Sequence, residues 1–291
     1  MAKKENNLGV QRGQGYFIWQ RLKRNKGAMA GLVFLCILAL AMIFADVLYN
    51  YEDVAIKQNV VERLQGPSAL HWLGTDESGR DVLARIVHGS RYSVLIGMAA
   101  TTIATVIGAS LGAIAGFYGG KLGEFIMRIM DILLAIPATL FAIVIVAVLG
   151  CSVPNLIIAC CAATIPKMAR ILRSSVMQCR SADYVEAARA RGVPESQILI
   201  RHIIPNSIAP LFVQYTITVG GTIILLSGMS FLGLGIQAPT PEWGAMLSNA
   251  RTYIRDYSYL CMYPGLAIVL TILSLNLLGD GLRDALDPRL K

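Results

Sequence analysis

Charged residues are scarce in this chain of 291 residues, and their scarcity excludes most soluble folds. Asp, Glu, Lys and Arg together make up 15% of the sequence, whereas 55% is hydrophobic and the mean hydropathy is +0.58. The average soluble domain is roughly one quarter charged, since its surface must be hydrated. The composition therefore predicts an integral membrane protein.

Patterns that carry catalysis or metal binding are also missing. His71, Asp76 and Asp81 match no catalytic or metal-ligand spacing, which argues against an acid–base enzyme. None of the six cysteines has metal-ligand spacing, so we interpret them as polarizable core residues. The stretch 116–121 is the nearest to a phosphate-binding loop, but its spacing is wrong and Leu122 stands where Ser or Thr is required. We therefore expect no catalytic residue, no metal and no cofactor on this chain.

Six apolar segments have the length, about 17 to 25 residues, that a hydrocarbon core of about 30 Å requires. They are residues 27–48, 93–116, 126–149, 155–173, 208–233 and 260–281. Each is predicted to be a helix, because lipid cannot hydrogen-bond an exposed backbone. The fourth is the weakest, and we expect it to end with Lys167 and Arg170 snorkelling toward the interface. Pro137 and Pro166 are expected to kink their helices. The predicted fold class is an all-α membrane protein with six transmembrane helices.

The first apolar segment has two interpretations. A basic region precedes it, and Ala39, Leu40 and Ala41 resemble a small-residue cleavage site, as in a signal peptide. The apolar run continues past this point through Phe44, which favours a retained transmembrane helix.

Basic residues predict the orientation of the chain. Placing the N-terminus inside puts 19 of the 26 Lys and Arg residues on the cytoplasmic side. The seven on the other side are Lys57, Arg63, Arg80, Arg85, Arg91, Arg251 and Arg255. The positive-inside rule therefore predicts that both termini lie in the cytoplasm. This topology accounts for the net charge of +8, so we do not interpret the charge as nucleic-acid binding.

The topology divides the chain into five parts. These are a cytoplasmic tail (1–26), the first transmembrane helix (27–48), an extracytoplasmic segment (49–92), a core of five transmembrane helices (93–282) and a second cytoplasmic tail (283–291).

A polar, basic island, residues 183–206, lies between the fourth and fifth apolar segments. Asp183 and Glu186 have the spacing of a capping box, which predicts the start of a short helix. Gly192 tolerates positive φ just after that helix, and Pro194 suits the first position of a second helix. On the predicted cytoplasmic side, two short helices at an angle are therefore expected.

The two predicted helices of the island present different faces. Ala187 and Ala188 on the first helix permit close approach to another surface, and Tyr184 and Arg191 share that face. The second helix is predicted to turn its apolar residues toward the membrane and to end at Pro205. These apolar-face residues are Ile198, Leu199, His202 and Ile203. An amphipathic loop lying on the lipid surface is the alternative interpretation.

The spacing of the island resembles a known family motif. Glu186, Ala187, Ala188 and Gly192, followed by Ile204 and Pro205, are similar to the EAA loop of permease subunits in binding-protein-dependent ATP-binding cassette (ABC) importers. His202 and Ile204 stand where the family pattern has isoleucine and leucine, a departure that looks like the peptide-transporter branch.

Four further blocks resemble the dipeptide, oligopeptide and nickel permeases of that family. They are HWLGTDESGRDVLARIVHGSRYSV at His71–Val94, SFLGLG at Ser230–Gly235, PEWGAML at Pro241–Leu247 and DPRL at Asp287–Leu290. The resemblance spans residues 20–291 and implies a type I ABC importer permease fold with cytoplasmic coupling helices.

The resemblance implies that the first short helix of the island is a coupling helix, docked in a cleft on a cytoplasmic ATPase. The implied docking residues are Asp183, Tyr184, Glu186, Ala187, Ala188, Arg191 and Gly192, with Glu186 paired to a basic group on the ATPase. The implied partners are a second homologous permease, two ATP-binding subunits, an extracytoplasmic binding protein and membrane lipid, with no nucleic acid. ATP and Mg²⁺ would be bound by the partner ATPases. This chain would lie in the cytoplasmic membrane of a prokaryote.

Small and polar residues within the spans leave alternatives open. Gly108, Gly112, Gly116 and Gly120 predict close helix packing, either within this chain or against a partner permease. The polar stripe of Gln214, Thr218, Thr222 and Ser227 either lines a translocation path or bonds its own helix backbone. Asp131 is expected to be an interfacial acid paired locally with Arg128, and an ion site is the alternative.

Charged residues of the outer loops also have two interpretations. In the family these surfaces face the binding protein and the second permease. Ordinary ion pairing within the chain explains the presence of these charges equally well. The residues concerned are Asp76, Arg80, Asp81, Arg85, Arg91, Glu242, Trp243, Arg251 and Arg255.

The function implied by the resemblance is import of di- or oligopeptides, driven by ATP hydrolysis on partner subunits. An importer of nickel or another small solute is the alternative within the family. A stand-alone ion-coupled transporter or channel is the alternative from another class, and it would need buried ionisable groups or inverted repeats near the bilayer centre.

Overall fold

The computed structural model describes residues 14–286 of the chain. Within that range the protein is helical, and its extended pairing is limited to one isolated bridge between Thr75 and Asp81. Several basic residues that were used to predict the orientation, and the DPRL block, lie outside the described residues; they are Lys3, Lys4, Arg12, Arg289 and Lys291, and Asp287–Leu290.

Thirteen α-helices occur among the described residues. They are α1 Gln14–Arg24, α2 Lys26–Ile43, α3 Ala45–Leu48, α4 Val82–Tyr118, α5 Gly120–Ala135, α6 Ala138–Leu149, α7 Val153–Arg180, α8 Asp183–Ala190, α9 Glu195–Ile198, α10 Ile204–Ser207, α11 Ala209–Phe231, α12 Trp243–Ala250 and α13 Tyr259–Leu286. Shorter or wider helical turns occur at Tyr51–Ile56, Val60–Glu62, Leu199–Ile203 and Arg251–Tyr253.

Five of these helices, α2, α4, α7, α11 and α13, are long and apolar enough to cross a membrane, and α5 with α6 makes a sixth when that bent pair is counted as one span. The all-α membrane fold is confirmed, with five to six candidate spans. The third predicted span, 126–149, is wrong as one helix, because α5 and α6 meet at an angle of 89°. Ile136 is extended (φ −88°, ψ 127°) and precedes Pro137, which lacks a backbone N–H and disfavours helix at the residue before it.

Two other spans are longer than predicted. Helix α4 begins well before residue 93, because the Asp81 side chain accepts a hydrogen bond of 2.8 Å from the Ala84 N–H and caps the helix. Helix α7 continues through Pro166 to Arg180, far past the predicted end at 173. Lys167 and Arg170 therefore lie in the helix interior, and that their side chains snorkel to the membrane interface remains a prediction.

The glycine stripe of α4 packs within the chain, against α7. A Cβ atom added at Gly108 would lie 2.6 Å from the Ile165 carbonyl oxygen, and one at Gly116 would lie 2.8 Å from the Arg173 carbonyl oxygen. Residue numbers rise together on both helices, so α4 and α7 are parallel. Gly120 does not belong to the stripe: it follows the turn at Gly119, has φ +53°, and has open space at its Cβ position.

Replacing Gly112 with alanine is expected to separate α4 from α7 and to lower stability by about 1–3 kcal/mol. The added methyl group would clash with the carbonyl oxygen of Ala169, which is backbone and cannot rotate away. The midpoint of thermal unfolding of the detergent-purified chain measures the effect. Gly228→Ala is the matched control, since its Cβ position meets no atom within 4 Å. Equal midpoints for the two variants would contradict the assignment.

Helix α2 packs closely on α13. A Cβ atom at Gly31 would lie 2.6 Å from the carbonyl oxygen of Ser274, and Ala28 is fully buried beside Gly281. Close packing of α2 on another apolar helix favours the interpretation of the first apolar segment as a retained transmembrane helix.

Candidate functional site

Helix α8 in the polar island is anchored on one side by a hydrophobic cluster. Val185 and Ala188 are 0% and 1% exposed, and they pack with residues of α4, α7, α9 and α11. We call this group the elbow cluster; its buried members are Ala113, Phe117, Met168, Leu172, Val176, Val185, Ala188, Ile198, Leu199, Ile203 and Leu211. The cluster therefore joins α8 to three long helices, α4, α7 and α11.

The outer face of α8 is exposed and polar. Its exposed residues that were predicted to dock on an ATPase are Asp183, Tyr184, Glu186, Ala187, Arg191 and Gly192. Ala188 differs from the prediction, because it lies on the inner face and is covered by the elbow cluster. Adjacent positions on a helix point about 100° apart, so Ala187 and Ala188 cannot share one face when the inner side is this tightly packed.

The start of α8 also differs from the prediction. Ala182 precedes the helix and makes no side-chain capping bond, so Asp183 and Glu186 do not form a capping box. Both acids lie in the first turn instead, where a negative charge is favourable to the helix dipole.

The turn between α8 and α9 depends on the backbone freedom of glycine. Gly192 has φ +75°, and its N–H donates to the Arg189 carbonyl at 2.8 Å. The Val193 N–H reaches back to the Ala188 carbonyl at 3.2 Å. The predicted positive φ of Gly192 just after the helix is confirmed, while Pro194 stands just before α9 rather than at its first position.

An ion pair that the sequence analysis missed spans this turn. The Arg189 guanidinium donates two hydrogen bonds to the Glu195 carboxylate, from Nε at 2.8 Å and from Nη2 at 3.2 Å. The hydrogen bond from Arg189 lowers the pKa of the Glu195 carboxyl. The sequence signal that could have predicted this pair is two opposite charges on either side of a turn that contains glycine and proline. The pair is exposed, so it orients α9 relative to α8 more than it stabilises the fold.

The apolar residues in the second half of the island face the protein and not the membrane, so their predicted direction is wrong, because the elbow cluster covers them. The helical stretch also continues past its predicted end. Ile198, Leu199 and Ile203 are buried in the elbow cluster, and His202 is half-buried. Pro205 does not end the helix, because it lies in the first turn of α10, where its missing N–H has no helical role. The chain therefore runs from α9 to α11 with little interruption.

Bonding within its own helix, one of the two predicted alternatives, is observed in the polar stripe of α11. The Gln214 Nε2 donates to Thr218 Oγ1 at 3.0 Å, and Thr222 Oγ1 donates to the Thr218 carbonyl at 2.9 Å. Thr222 also accepts a hydrogen bond of 3.0 Å from Thr101 on α4. Ser227 is buried against the first turn of α12. The backbone of Ser227 leaves no room for a Cβ atom at Gly244. That each of these residues lines a translocation path remains a prediction.

Two cavities lie along α11. One of about 720 Å³ lies near the start of the helix, and Gln214, Asn206, Gln178 and Arg283 contribute to its wall. The other, of about 370 Å³, lies between α6, α7 and α11, and we call it the threonine groove. Its polar lining residues are Thr139, Thr164, Lys167, Thr218 and Thr222. The sequence analysis predicted only the last two, because it expected a kink at Pro137 and not the 89° break that brings α6 to the groove.

Asp131 is paired, but with a different residue from the one predicted. Its Oδ1 accepts a hydrogen bond of 2.6 Å from Arg170 Nη2 on α7, and both side chains are about half exposed. The expected partner Arg128 lies on the same helix as Asp131, whereas the observed pair links α5 to α7. Helix packing supplied a nearer cation than the local sequence did.

The segment before α4, predicted to be extracytoplasmic, contains a buried charge network centred on Asp76. Asp76 Oδ2 accepts a hydrogen bond of 2.7 Å from Arg80 Nε and lies 3.3 Å from Arg85 Nε. Both arginines are 2% exposed, and Arg85 also donates to the carbonyls of Ala55 and Pro239. Pairing within the chain is therefore confirmed for these charges.

The remaining outer residues divide between buried and exposed. Asp81 binds His71 at 2.8 Å, Arg91 binds Asp46 at 2.7 Å, and Glu242 is fully buried, accepting from Ser93 at 3.0 Å. Trp243 is also fully buried, whereas Arg251 and Arg255 are exposed.

Comparison with known proteins agrees with this architecture. Residues 108–291, more than half of the chain, match the family described as binding-protein-dependent transport system inner membrane component. Residues 15–67 match the N-terminal TM domain of oligopeptide transport permease C.

Named relatives cover nearly the whole chain. The dipeptide transport system permease protein DppC of Alkalihalophilus pseudofirmus is 45% identical over 273 residues, which cover 94% of this chain and 89% of that protein. The glutathione transport system permease protein GsiD of Escherichia coli O157:H7 is 42% identical over 275 residues, 94% of this chain and 90% of that protein. A solved structure of the MetNI methionine ABC transporter in inward facing conformations is similar in fold, with a TM-score of 0.59 at 18% identity over 70% of this chain and 97% of that one. The chain therefore belongs to the family of binding-protein-dependent transport system inner membrane components, and it is a multi-pass permease subunit of an ABC importer.

Proposed function

We propose that this permease imports peptides and that α8 is the helix through which partner ATPases drive it. The relatives named above carry the words dipeptide and glutathione, which are both short peptides. The observation that carries the coupling role is the two-sided nature of α8: its outer face is exposed, and its inner face is fixed in the elbow cluster. Glu186 on the outer face would pair with a basic group of the ATPase.

The elbow cluster supports a mechanical link. ATP and Mg²⁺ would be bound by the partner subunits, whose closure would move α8 and, with it, α4, α7 and α11. Converting a two-state equilibrium from 1:99 to 99:1 requires about 5.5 kcal/mol of differential binding. A free energy of that size would have to reach the membrane through a tightly packed contact, and the burial of Val185 and Ala188 supports α8 in that role.

The proposal includes the surroundings of the chain. Both termini and α8 would lie in the cytoplasm of a prokaryote, in keeping with the basic residues of the island. The complete transporter would contain a second homologous permease, two ATP-binding subunits and an extracytoplasmic binding protein. Uptake of a labelled dipeptide by liposomes containing this complex tests the substrate class, with Ni²⁺ as the competing candidate. Uptake by the isolated chain would instead indicate a stand-alone transporter.

The docking role of α8 is tested by cysteine protection. Ala187→Cys is expected to react with a membrane-impermeant maleimide in the isolated permease, because position 187 is exposed, and to be protected when the ATPases are bound. Ala188→Cys is the matched control, since the neighbouring position is 1% exposed and should react in neither state. The exposed Cys36 and Cys151 are replaced by alanine to remove background labelling.

A result against the docking role is equally clear. Labelling of Ala187→Cys at the same rate with and without bound ATPases would place α8 away from the interface. The alternative interpretation, a loop lying on the lipid surface, would then be favoured. Labelling of Ala187→Cys in liposomes that lack the ATPases measures whether lipid alone protects this position.

A further inference from the structure

Lys167 is a cation without an ion-pair partner among residues 14–286. It lies on the exposed side of α7, one turn from Arg170. Arg170 is neutralised by Asp131 on α5 at 2.6 Å, but no carboxylate of the described chain lies within ion-pairing distance of Lys167. The positive charge of Lys167 is therefore available to another molecule.

Lys167 also lies in the part of α7 that packs against α4. Since α4 and α7 are parallel, with Gly108 against Ile165 and Met168, Lys167 lies level with the last third of α4. Beyond that level α4 continues through ten further residues, to Tyr118, and α7 continues to Arg180. An unpaired lysine in an apolar helix is costly against lipid and is found facing a polar cavity or a partner.

The cavity that Lys167 faces is the threonine groove. The groove has a volume of about 370 Å³, within the range of about 300–1,000 Å³ typical of small-ligand sites. Four threonines supply hydroxyl groups on its wall, and the break between α5 and α6 places Thr139 at its edge. No described Asp or Glu lines this groove, so its only formal charge is the ammonium of Lys167.

We propose that Lys167 binds the carboxylate of the transported peptide as the peptide passes the threonine groove. This inference rests on the proposed function, and it names the chemical group of the substrate that the permease itself contacts. A free C-terminal carboxylate is the anionic group common to all linear peptides. A lysine suits transient binding, because its ammonium is a compact charge on a flexible stem and can follow a moving ligand. The threonine hydroxyl oxygens would accept hydrogen bonds from the peptide N–H groups.

The test uses the complete transporter in liposomes with two labelled substrates, dialanine and its C-terminal amide. Lys167→Met is expected to lower uptake of the free acid about tenfold relative to wild type, as loss of one charge-assisted hydrogen bond predicts, and to leave uptake of the amide nearly unchanged. Lys167→Arg is expected to restore most of the uptake of the acid. Lys121→Met is the control, because it removes an exposed lysine at the start of α5, outside the groove.

Each other outcome counts against the inference. Equal loss of both substrates, with less assembled complex on gel filtration, would show that Lys167 pairs with the second permease. No loss of either substrate would overturn the contact altogether, as would failure of Lys167→Arg to restore uptake. A wild-type complex that imports neither peptide would overturn the proposed function and this inference together, whereas wild-type import with equal losses overturns the inference alone.

Discussion

Asp76→Asn is expected to destabilise the segment between α3 and α4 by about 3–5 kcal/mol, the usual effect of removing one partner from a buried ion pair. Asp76 is the anion on which Arg80 and Arg85 converge, and both arginines are 2% exposed. Asparagine is neutral, so two guanidinium groups would remain buried with only Glu77 nearby, 3.0 Å from Arg80. The second carboxylate oxygen of Asp76 also accepts from the N–H groups of Ser78 and Arg80, so the turn would loosen as well.

Thermal unfolding of the purified chain and hydrogen exchange of residues 59–81 measure this effect. Asp53→Asn is the matched control in the same segment, because Asp53 makes only a surface pair with Lys57 at 3.8 Å. A surface pair of this kind contributes about 0–1 kcal/mol, so the control should be nearly neutral. If Asp76→Asn proved as stable as Asp53→Asn, the buried network would not be holding the segment.

Gly192→Val is expected to uncouple transport from ATP hydrolysis while leaving the protein inserted and folded. Positive φ costs a residue with a Cβ atom about 1–2 kcal/mol, and more when the residue is β-branched. Gly192 has φ +75° and open space at its Cβ position, so the penalty falls on the backbone turn and not on packing. The angle between α8 and α9 would change, and coupled uptake should fall on the order of tenfold.

Substrate-stimulated ATPase activity and uptake are measured together in the assembled transporter. Gly66→Val is the control, since Gly66 also has open space but no positive φ. Gly192→Asn should retain more activity than valine, because asparagine tolerates the left-handed conformation. Normal stimulation of the ATPase in Gly192→Val would contradict a coupling role for this turn.

Some features of the polar island could be predicted directly from the sequence. Positive φ at Gly192 and the grouping of Ile198, Leu199 and Ile203 on one apolar face are local properties, so residue type and spacing sufficed to predict them. That this face packs on the protein and not on the membrane was decided by tertiary structure. The exposed and buried faces of α8 were harder to predict from the sequence. Ala187 and Ala188 have the same side chain, and only the position of the elbow cluster decides which of them is exposed.

Charge pairing was predicted least well. Asp131 was expected to pair along its own helix, yet Arg170 reaches it from α7, and Arg189 finds Glu195 across a turn. Sequence spacing gives the distance between charges on one element, whereas an ion pair forms with whichever opposite charge packing brings nearest. Lys167 shows the same limit, since its place in a groove depends on the break at Pro137.

Hydrophobic length and periodicity determined the membrane class, the number of spans and the polar island, because lipid leaves a backbone no alternative to the helix. Tertiary structure alone decided where α5 turns through 89° into α6, which face of α8 is open, and which charges are neutralised. These outcomes depend on contacts between residues far apart in the chain, such as Gly112 with Ala169 and Arg85 with Pro239. A local pattern cannot encode them, because each is set by the shape of the surface that a distant segment presents.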